Sequence, residues 1–262
     1  MTTIRRFFGM SSAAAEPTLF AVDPSTLAAA QRVTRGGHCA CLSSRTKKGT
    51  PSVPNLHTEA QDFTAPGWQL LVQLVDSARA ASNSVLDPLV TIPADQWSAV
   101  MTLPPSVSNL TMVRSLRLYG SHLRRLPPEI GRMSALTNLD IYTSYSLHWL
   151  PYEVTRCSAL RDSRMSTRAL YGNIKTRLPF PRLTGPIDTI MPQTCSVCDQ
   201  PFREDRVQLL WTTQRIATDV VPLLLHSCSS ECTSHVPDAP LGYYPRPHRG
   251  GGGVGMPDPD YD

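Results

Sequence analysis

Aliphatic side chains return on a fixed cycle between residues 103 and 172, and that cycle limits the possible folds more than any other feature of the chain. Leu103, Val107, Leu110, Val113, Leu116, Leu118 and Leu123 lead to Leu126, 23 residues after the start. Leu126, Ile130, Met133, Leu136, Leu139, Ile141 and Leu147 repeat the series, and Leu150 opens a third pass 24 residues later. Val154, Cys157, Leu160 and Met165 continue it before the pattern fades. A unit this short cannot bury its own apolar face, so successive units must stack and share one core.

Each cycle contains a stretch of period two, from Val113 to Tyr119, Leu136 to Tyr142 and Leu160 to Ser166. Alternation of this kind is the mark of a strand with one face buried. Both spacings lie within the 20–29 residues of leucine-rich repeats, so the expected fold class is α/β: a short leucine-rich-repeat solenoid with an N-terminal helical cap. Registering the passes yields the columns Arg114/Thr137/Arg161, Ser115/Asn138/Asp162, Arg117/Asp140/Arg164 and Tyr119/Tyr142/Ser166. These are the outward positions of a shared sheet, which makes Arg114, Arg117, Tyr119, Asn138, Asp140, Tyr142, Arg161 and Arg164 the candidate partner-binding residues. The Arg117/Asp140/Arg164 column alternates in sign, so its members can pair between strands. Two departures matter. Ser121 and Ser144 stand where such repeats usually carry Asn, and Ser163 takes a core aliphatic position in the third pass. Two full units and one worn one need flanking segments to close their core.

Those flanks have readable patterns. Pro66 suits a first helical turn, with Thr64 as a cap. Trp68, Leu71, Val72 and Val75 then fall on one helical face, and a second short helix is expected over 93–100. Both would cover the open edge of the first repeat.

After the repeats, Cys195 and Cys198 form a CxxC, and beyond 29 intervening residues Cys228 and Cys232 form a CxxxC. Both spacings let thiolates converge on one tetrahedral zinc ion. The apolar stretches 207–211 and 220–225 are expected as two short strands, with Pro222 marking the second as an edge or irregular strand. Ser227 or Ser229 can cap a brief helix carrying Cys232. A knuckle, a hairpin and a pair at a helix start resembles a treble-clef zinc finger. Four thiolates leave no vacant position, so the zinc is expected to be structural. His226 and His235 are spare ligand candidates. Cys157, at the place of Leu110 and Met133, is expected to be a buried core thiol.

Composition narrows the classes further. No apolar run reaches the 18 residues that a transmembrane helix needs, so no membrane partner is expected. Seven cysteines, an odd number with four at metal spacing, suit a reducing compartment, and a cytoplasmic location follows. An organellar location is the alternative if residues 1–17, with Arg5, Arg6, Phe7 and Phe8 and no acid before Glu16, serve as a transit peptide. Cys39 and Cys41 make half a metal site without a second half nearby. Residues 101–180 hold eleven Lys and Arg against four acids, a net +7 within a chain of net +4. That balance favours an acidic partner.

The layout as a whole resembles a group of short bacterial leucine-rich-repeat proteins, from about Asp62 to Pro247. The likeness is carried by Thr102 to Ser106, Leu118 to Ser121, Tyr142 to Tyr145, Leu147 to Glu153, Ser166 to Gly172, Cys195 to Cys198, Ala217 to Leu224 and Gly242 to His248. The layout is also similar to some animal leucine-rich-repeat proteins thought to act as adaptors. The resemblance implies a domain arrangement and no activity.

The expected divisions are a disordered or targeting arm (1–62), a helical cap (63–101), leucine-rich repeats (102–178), a linker (179–193), a zinc-finger-like domain (194–240) and a disordered tail (241–262). No HExxH, phosphate loop or GxSxG motif is present, and no catalytic residue is expected. The leading expectation is a non-enzymatic protein-binding adaptor with structural zinc at Cys195, Cys198, Cys228 and Cys232. The alternative is nucleic-acid binding through the basic repeat face and finger, disfavoured because the finger holds only Arg203, Arg206 and Arg215 as basic residues.

Overall fold

The structure, a computed structural model, describes residues 53–203 and 207–255. The expectations for residues 1–17 and for Cys39 and Cys41 lie outside the described residues.

The period-two stretches form strands β2 (Ser115–Arg117), β3 (Asn138–Ile141) and β5 (Asp162–Met165). All three are parallel, with Ser115 beside Asn138 beside Asp162 and Arg117 beside Asp140 beside Arg164. The columns read from the sequence are therefore the columns of the sheet. A short strand β1 (Val85–Leu86) adds to the free side of β2, so the order is β1-β2-β3-β5. The proline-led start of each cycle forms a 3₁₀ turn, at Pro105–Asn109, Pro128–Arg132 and Tyr152–Arg156. Pro fixes φ and lacks an N–H, which suits the first position of such a turn and prevents a continuing strand.

Leu116, Leu139, Leu110, Met133, Ile130 and Val107 are buried in one continuous core. Leu71 and Val75 of the helix Pro66–Ala80 join it, as do Trp97 and Val100. The N-terminal helix thus covers the first cycle with the face expected. The second helix is smaller than the span 93–100: one turn at Pro88–Thr91 and another at Ala94–Trp97. Thr64 does not cap the first helix; its amide and hydroxyl bond the Asp62 carboxylate instead. Ser121 and Ser144, in place of the usual Asn, bond each other between turns at 2.7 Å, and Ser144 also donates to the Leu118 carbonyl at 3.1 Å.

The C-terminal half builds a second sheet, β4-β7-β6, from β4 (Leu150–Pro151), β6 (Gln208–Ile216) and β7 (Asp219–Ser227). The hairpin strands have nine residues each, longer than the stretches expected. Contrary to the edge expected from Pro222, β7 is the central strand. β4 pairs only with Leu223 and Leu224, so Pro222 lies just outside the stretch where that ladder needs an N–H. The hairpin tip reaches back to the third cycle. Ser163 Oγ donates to the Asp219 carboxylate at 2.7 Å and lies 3.0 Å from Thr218 Oγ1. The polar residue in a core position is thus the seam that closes the end of the first sheet.

Three boundaries move. Residues 179–193 are packed rather than a linker: Phe180, Leu183 and Ile190 join Trp149, Tyr171, Trp211 and Leu224 in a second core. Part of the expected tail is packed as well: His248 pairs with Trp211 across a β-bridge and the Leu183 amide bonds the Arg249 carbonyl at 2.8 Å. Gly250, with φ of 69°, fits because a side chain there would overlap the Pro181 carbonyl. Gln61 and His57, within the expected arm, are packed too. Gln61 accepts from the Met101 amide at 2.7 Å, and His57 is buried against His148 with ring centroids 5.5 Å apart. Apolar and aromatic residues in these segments complete a core that the repeats alone leave open.

Candidate functional site

Two features stand out, a cluster of four thiols and the outward face of the parallel sheet. Cys195 and Cys198 lie in a tight knuckle closed by a β-bridge between Thr194 and Pro201, in which Asp199 adopts a left-handed φ of 58°. β7 delivers Cys228 and the short helix Ser230–Ser234 carries Cys232. Ser229 caps that helix, accepting from the Cys232 amide at 3.1 Å. The four sulfurs all lie within 4.8 Å of one another. Two separations are 3.5 Å (Cys228 to Cys232) and 3.7 Å (Cys198 to Cys228). A tetrahedron with Zn–S bonds of ~2.3 Å has edges of about 3.8 Å. The spacing therefore suits a metal ion and is far too long for disulfides, which need about 2.05 Å. His226 and His235, the spare candidates, are not in the cluster.

The cluster is tuned unevenly. Burial pushes the Cys195 thiol up, but the amides of Cys198, Cys228 and Val197 more than offset this and bring it to about 7. Burial and the neighbouring sulfurs push Cys228 up to about 12. One thiolate forms readily and resists the next, as like charges at this distance must. A divalent cation supplies the charge that four thiolates need.

The knuckle is fastened to the cycles by a set of bonds that the sequence does not reveal. Asp199 accepts from Arg132 Nη2 at 2.7 Å, from Arg156 Nη1 at 2.9 Å and from Thr194 Oγ1 at 2.8 Å. Arg156 Nη2 also donates to the carbonyls of Cys195 and Ser196, at 3.1 and 2.9 Å. Burial would raise the Asp199 carboxyl, yet the Thr194 hydroxyl and the two guanidinium groups hold it below its usual range. Arg132 and Arg156 sit one cycle apart at equivalent places in their 3₁₀ turns, so their spacing was legible; their partner, 43 residues beyond Arg156, was not.

On the sheet face the structure divides the candidate residues into two groups. Arg114 and Arg161 are exposed, Tyr142 is 40% exposed, and Arg117 and Arg164 are half-buried. Tyr119, Asn138 and Asp140 are buried, at 2%, 2% and 1%. These three offer a partner almost no area and instead hold their neighbours. Asp140 lies 3.6 Å from Arg164, and Asn138 donates to Asp162 at 2.9 Å. The Arg164 guanidinium stands over the rings of Tyr142 and Tyr119, 4.8 and 5.4 Å from their centroids. The ladder begins one strand before the cycles, because Asp87 beside β1 lies 3.7 Å from Arg117. Signs thus alternate Asp87, Arg117, Asp140, Arg164 across four strands. Asp87 could have been found only by recognising Val85 and Leu86 as a strand.

Cys157 is buried as expected, with its Sγ 3.2 Å from the Ile130 carbonyl, and burial pushes its thiol up to about 11. That makes it a poor nucleophile. Among the described residues no helix is long and apolar enough to cross a membrane.

No protein-family model matches the chain, and no curated protein matches it. Among solved structures, a leucine-rich-repeat protein of Leptospira interrogans aligns at 22% identity and a TM-score of 0.24. The match covers 34% of this chain and 25% of that one, and at that score it carries no argument.

Proposed function

We propose that the chain is a non-enzymatic protein-binding module of the leucine-rich-repeat type, closed at its N-terminal end by a helical cap and at its C-terminal end by a treble-clef-like domain holding a structural zinc ion. The observation that carries this reading is the register. Three sequence cycles supply three parallel strands and three 3₁₀ turns around one core, with Arg117, Asp140 and Arg164 in a single row. Such stacks present an open sheet surface, and Arg and Tyr give a contact both area and directed polarity. The surface offered is Arg114, Tyr142 and Arg161, with Arg117 and Arg164 beside them. Exposed arginines predominate there, which suits an acidic protein partner.

Cys195, Cys198, Cys228 and Cys232 are the proposed ligands. With all four positions filled by sulfur, zinc there would hold the knuckle, the hairpin and the short helix together and would have no open site for chemistry. Nucleic acid is the weaker reading because much of the positive charge is already committed. Arg132 and Arg156 face Asp199, Arg124 faces Glu59, Arg117 faces Asp87 and Arg164 faces Asp140. Free thiols suit a reducing compartment such as the cytoplasm.

Two measurements test the proposal. Mass spectrometry of the purified chain should find one zinc per molecule, with circular dichroism collapsing on chelation. Pull-downs should then compare wild type with the triple variant R114A/Y142A/R161A. The triple variant should fold normally and lose its partners; an unchanged set of captured proteins would remove the sheet face as the binding surface.

A further inference from the structure

Away from both features, a cavity of about 340 Å³ opens where the chain around residues 60–68, the proline turns of the first two cycles and the second sheet meet. Its walls are largely apolar and aromatic, with Phe63, Trp68, Leu103, Trp149 and Ile190 among them. Phe63 is 63% exposed and meets Trp68 edge-on, with centroids 5.3 Å apart, so an apolar surface stands open at this place. Glu129 and Glu153 line the same cavity, the latter with both carboxylate oxygens turned away from open space. Glu153 is only 2% exposed, and neither of its oxygens makes a protein hydrogen bond of ordinary geometry. Burial raises its carboxyl above the usual range, and the Ser196 hydroxyl, which accepts from the His226 amide at 3.0 Å, lies near enough to ease the charged form. A buried carboxylate left this way is costly, and native structures seldom keep one without a use.

We propose that this cavity binds a small organic cation, a protonated amine on an aromatic body, with Glu153 as the counter-ion. For this the Glu153 side chain would rotate to bring its carboxylate into the cavity that the residue lines. The ammonium then has Glu153 and Glu129 for charge and the faces of Trp68 and Trp149 for cation–π attraction, while the aromatic body lies among the apolar walls. The neighbouring positive groups do not call for an anion. Arg125 Nη1 is committed to the Glu59 carbonyl at 2.8 Å, and the Glu59 carboxylate balances its charge. Arg156 is held by Asp199 and two carbonyls. A carboxylate ligand would meet two like charges.

The test uses the full chain, titrated with tryptamine, with 3-propylindole as its neutral isostere and with indole-3-propionate as its anion, followed by saturation-transfer NMR and calorimetry. Tryptamine should bind at least about tenfold more tightly than 3-propylindole, a difference of ~1.4 kcal/mol, and indole-3-propionate should not bind. E153Q should abolish that preference. Ala60 is exposed at the cavity wall, so A60W should block binding while leaving the dichroism spectrum unchanged; it keeps the test decisive if E153Q folds poorly. The proposal is overturned if tryptamine does not bind, if it binds no better than its neutral isostere, or if neither variant alters its binding.

Discussion

Replacing Arg156 by alanine is the sharpest probe of how the cysteine domain is tied to the cycles. Its guanidinium, 24% exposed, makes three bonds of 2.9 to 3.1 Å, to Asp199 and to the carbonyls of Cys195 and Ser196. Cys195 and Ser196 are at most 1% exposed, so water replaces the guanidinium poorly at their carbonyls. Each orphaned carbonyl costs ~1–3 kcal/mol, and the space that the truncated side chain vacates admits enough water to put both near the lower end. The bond to Asp199 adds less than about 1 kcal/mol, because that carboxylate is well solvated. R156A should therefore destabilise the protein by about 3 kcal/mol. Arg132 is the internal control. It donates once to the same carboxylate and is 57% exposed, so R132A should cost at most ~1 kcal/mol. With m-values of ~1–3 kcal/mol/M, urea midpoints followed by tryptophan fluorescence should fall by about 1–3 M for R156A and much less for R132A. After chelation the gap between the two variants should narrow, because the knuckle that carries both carbonyls is held by its thiolates. Equal midpoints for R156A and R132A in the metal-bound protein would refute the docking argument.

Other consequences follow from single sites. His148 has no exposed surface, and burial brings its pKa down to about 4 from 6.5. The unfolded chain therefore takes up a proton that the folded one refuses, so stability present above pH 6.5 falls as the pH drops towards 4. The loss approaches ~3 kcal/mol; H148N should flatten this slope relative to wild type in pH-dependent urea melts, and parallel slopes would dismiss it. Cys157, pushed up to about 11, should resist iodoacetamide at pH 8 in the folded protein and react once urea unfolds it, as peptide mass mapping would show. Gly250→Ala forces a β-carbon against the Pro181 carbonyl at a positive φ and should cost ~2 kcal/mol or more, read as a lower melting temperature. A melting temperature unchanged in that variant would mean that residues 248–251 do not dock on the second core.

Periodicity made the parallel sheet legible before any coordinates. Alternation at Leu116 and Leu118, repeated 23 residues later at Leu139 and Ile141, dictates both the strand and its register, because a one-residue slip would turn every leucine to water. The four-cysteine grouping was legible for a related reason: thiol spacings of two and three residues have few other uses. Burial of Cys157 and the N-terminal helix face came from the same local rules. What the chain does between distant segments obeys no period. Ser163 looks like a defect until Thr218 and Asp219 arrive at it, Arg156 looks like one more surface charge until Asp199 and two carbonyls gather around it, and Glu153 looks like an ordinary turn residue until burial seals it in. Pro222, Phe180 and His248 carried signals of edges, linkers and tails, and packing overrode all three. Local sequence determined which elements form and which face each one hides, since both depend on near neighbours along the chain. Only the tertiary structure decided which polar groups lose water, and with whom, since that depends on segments dozens of residues apart meeting around a shared core.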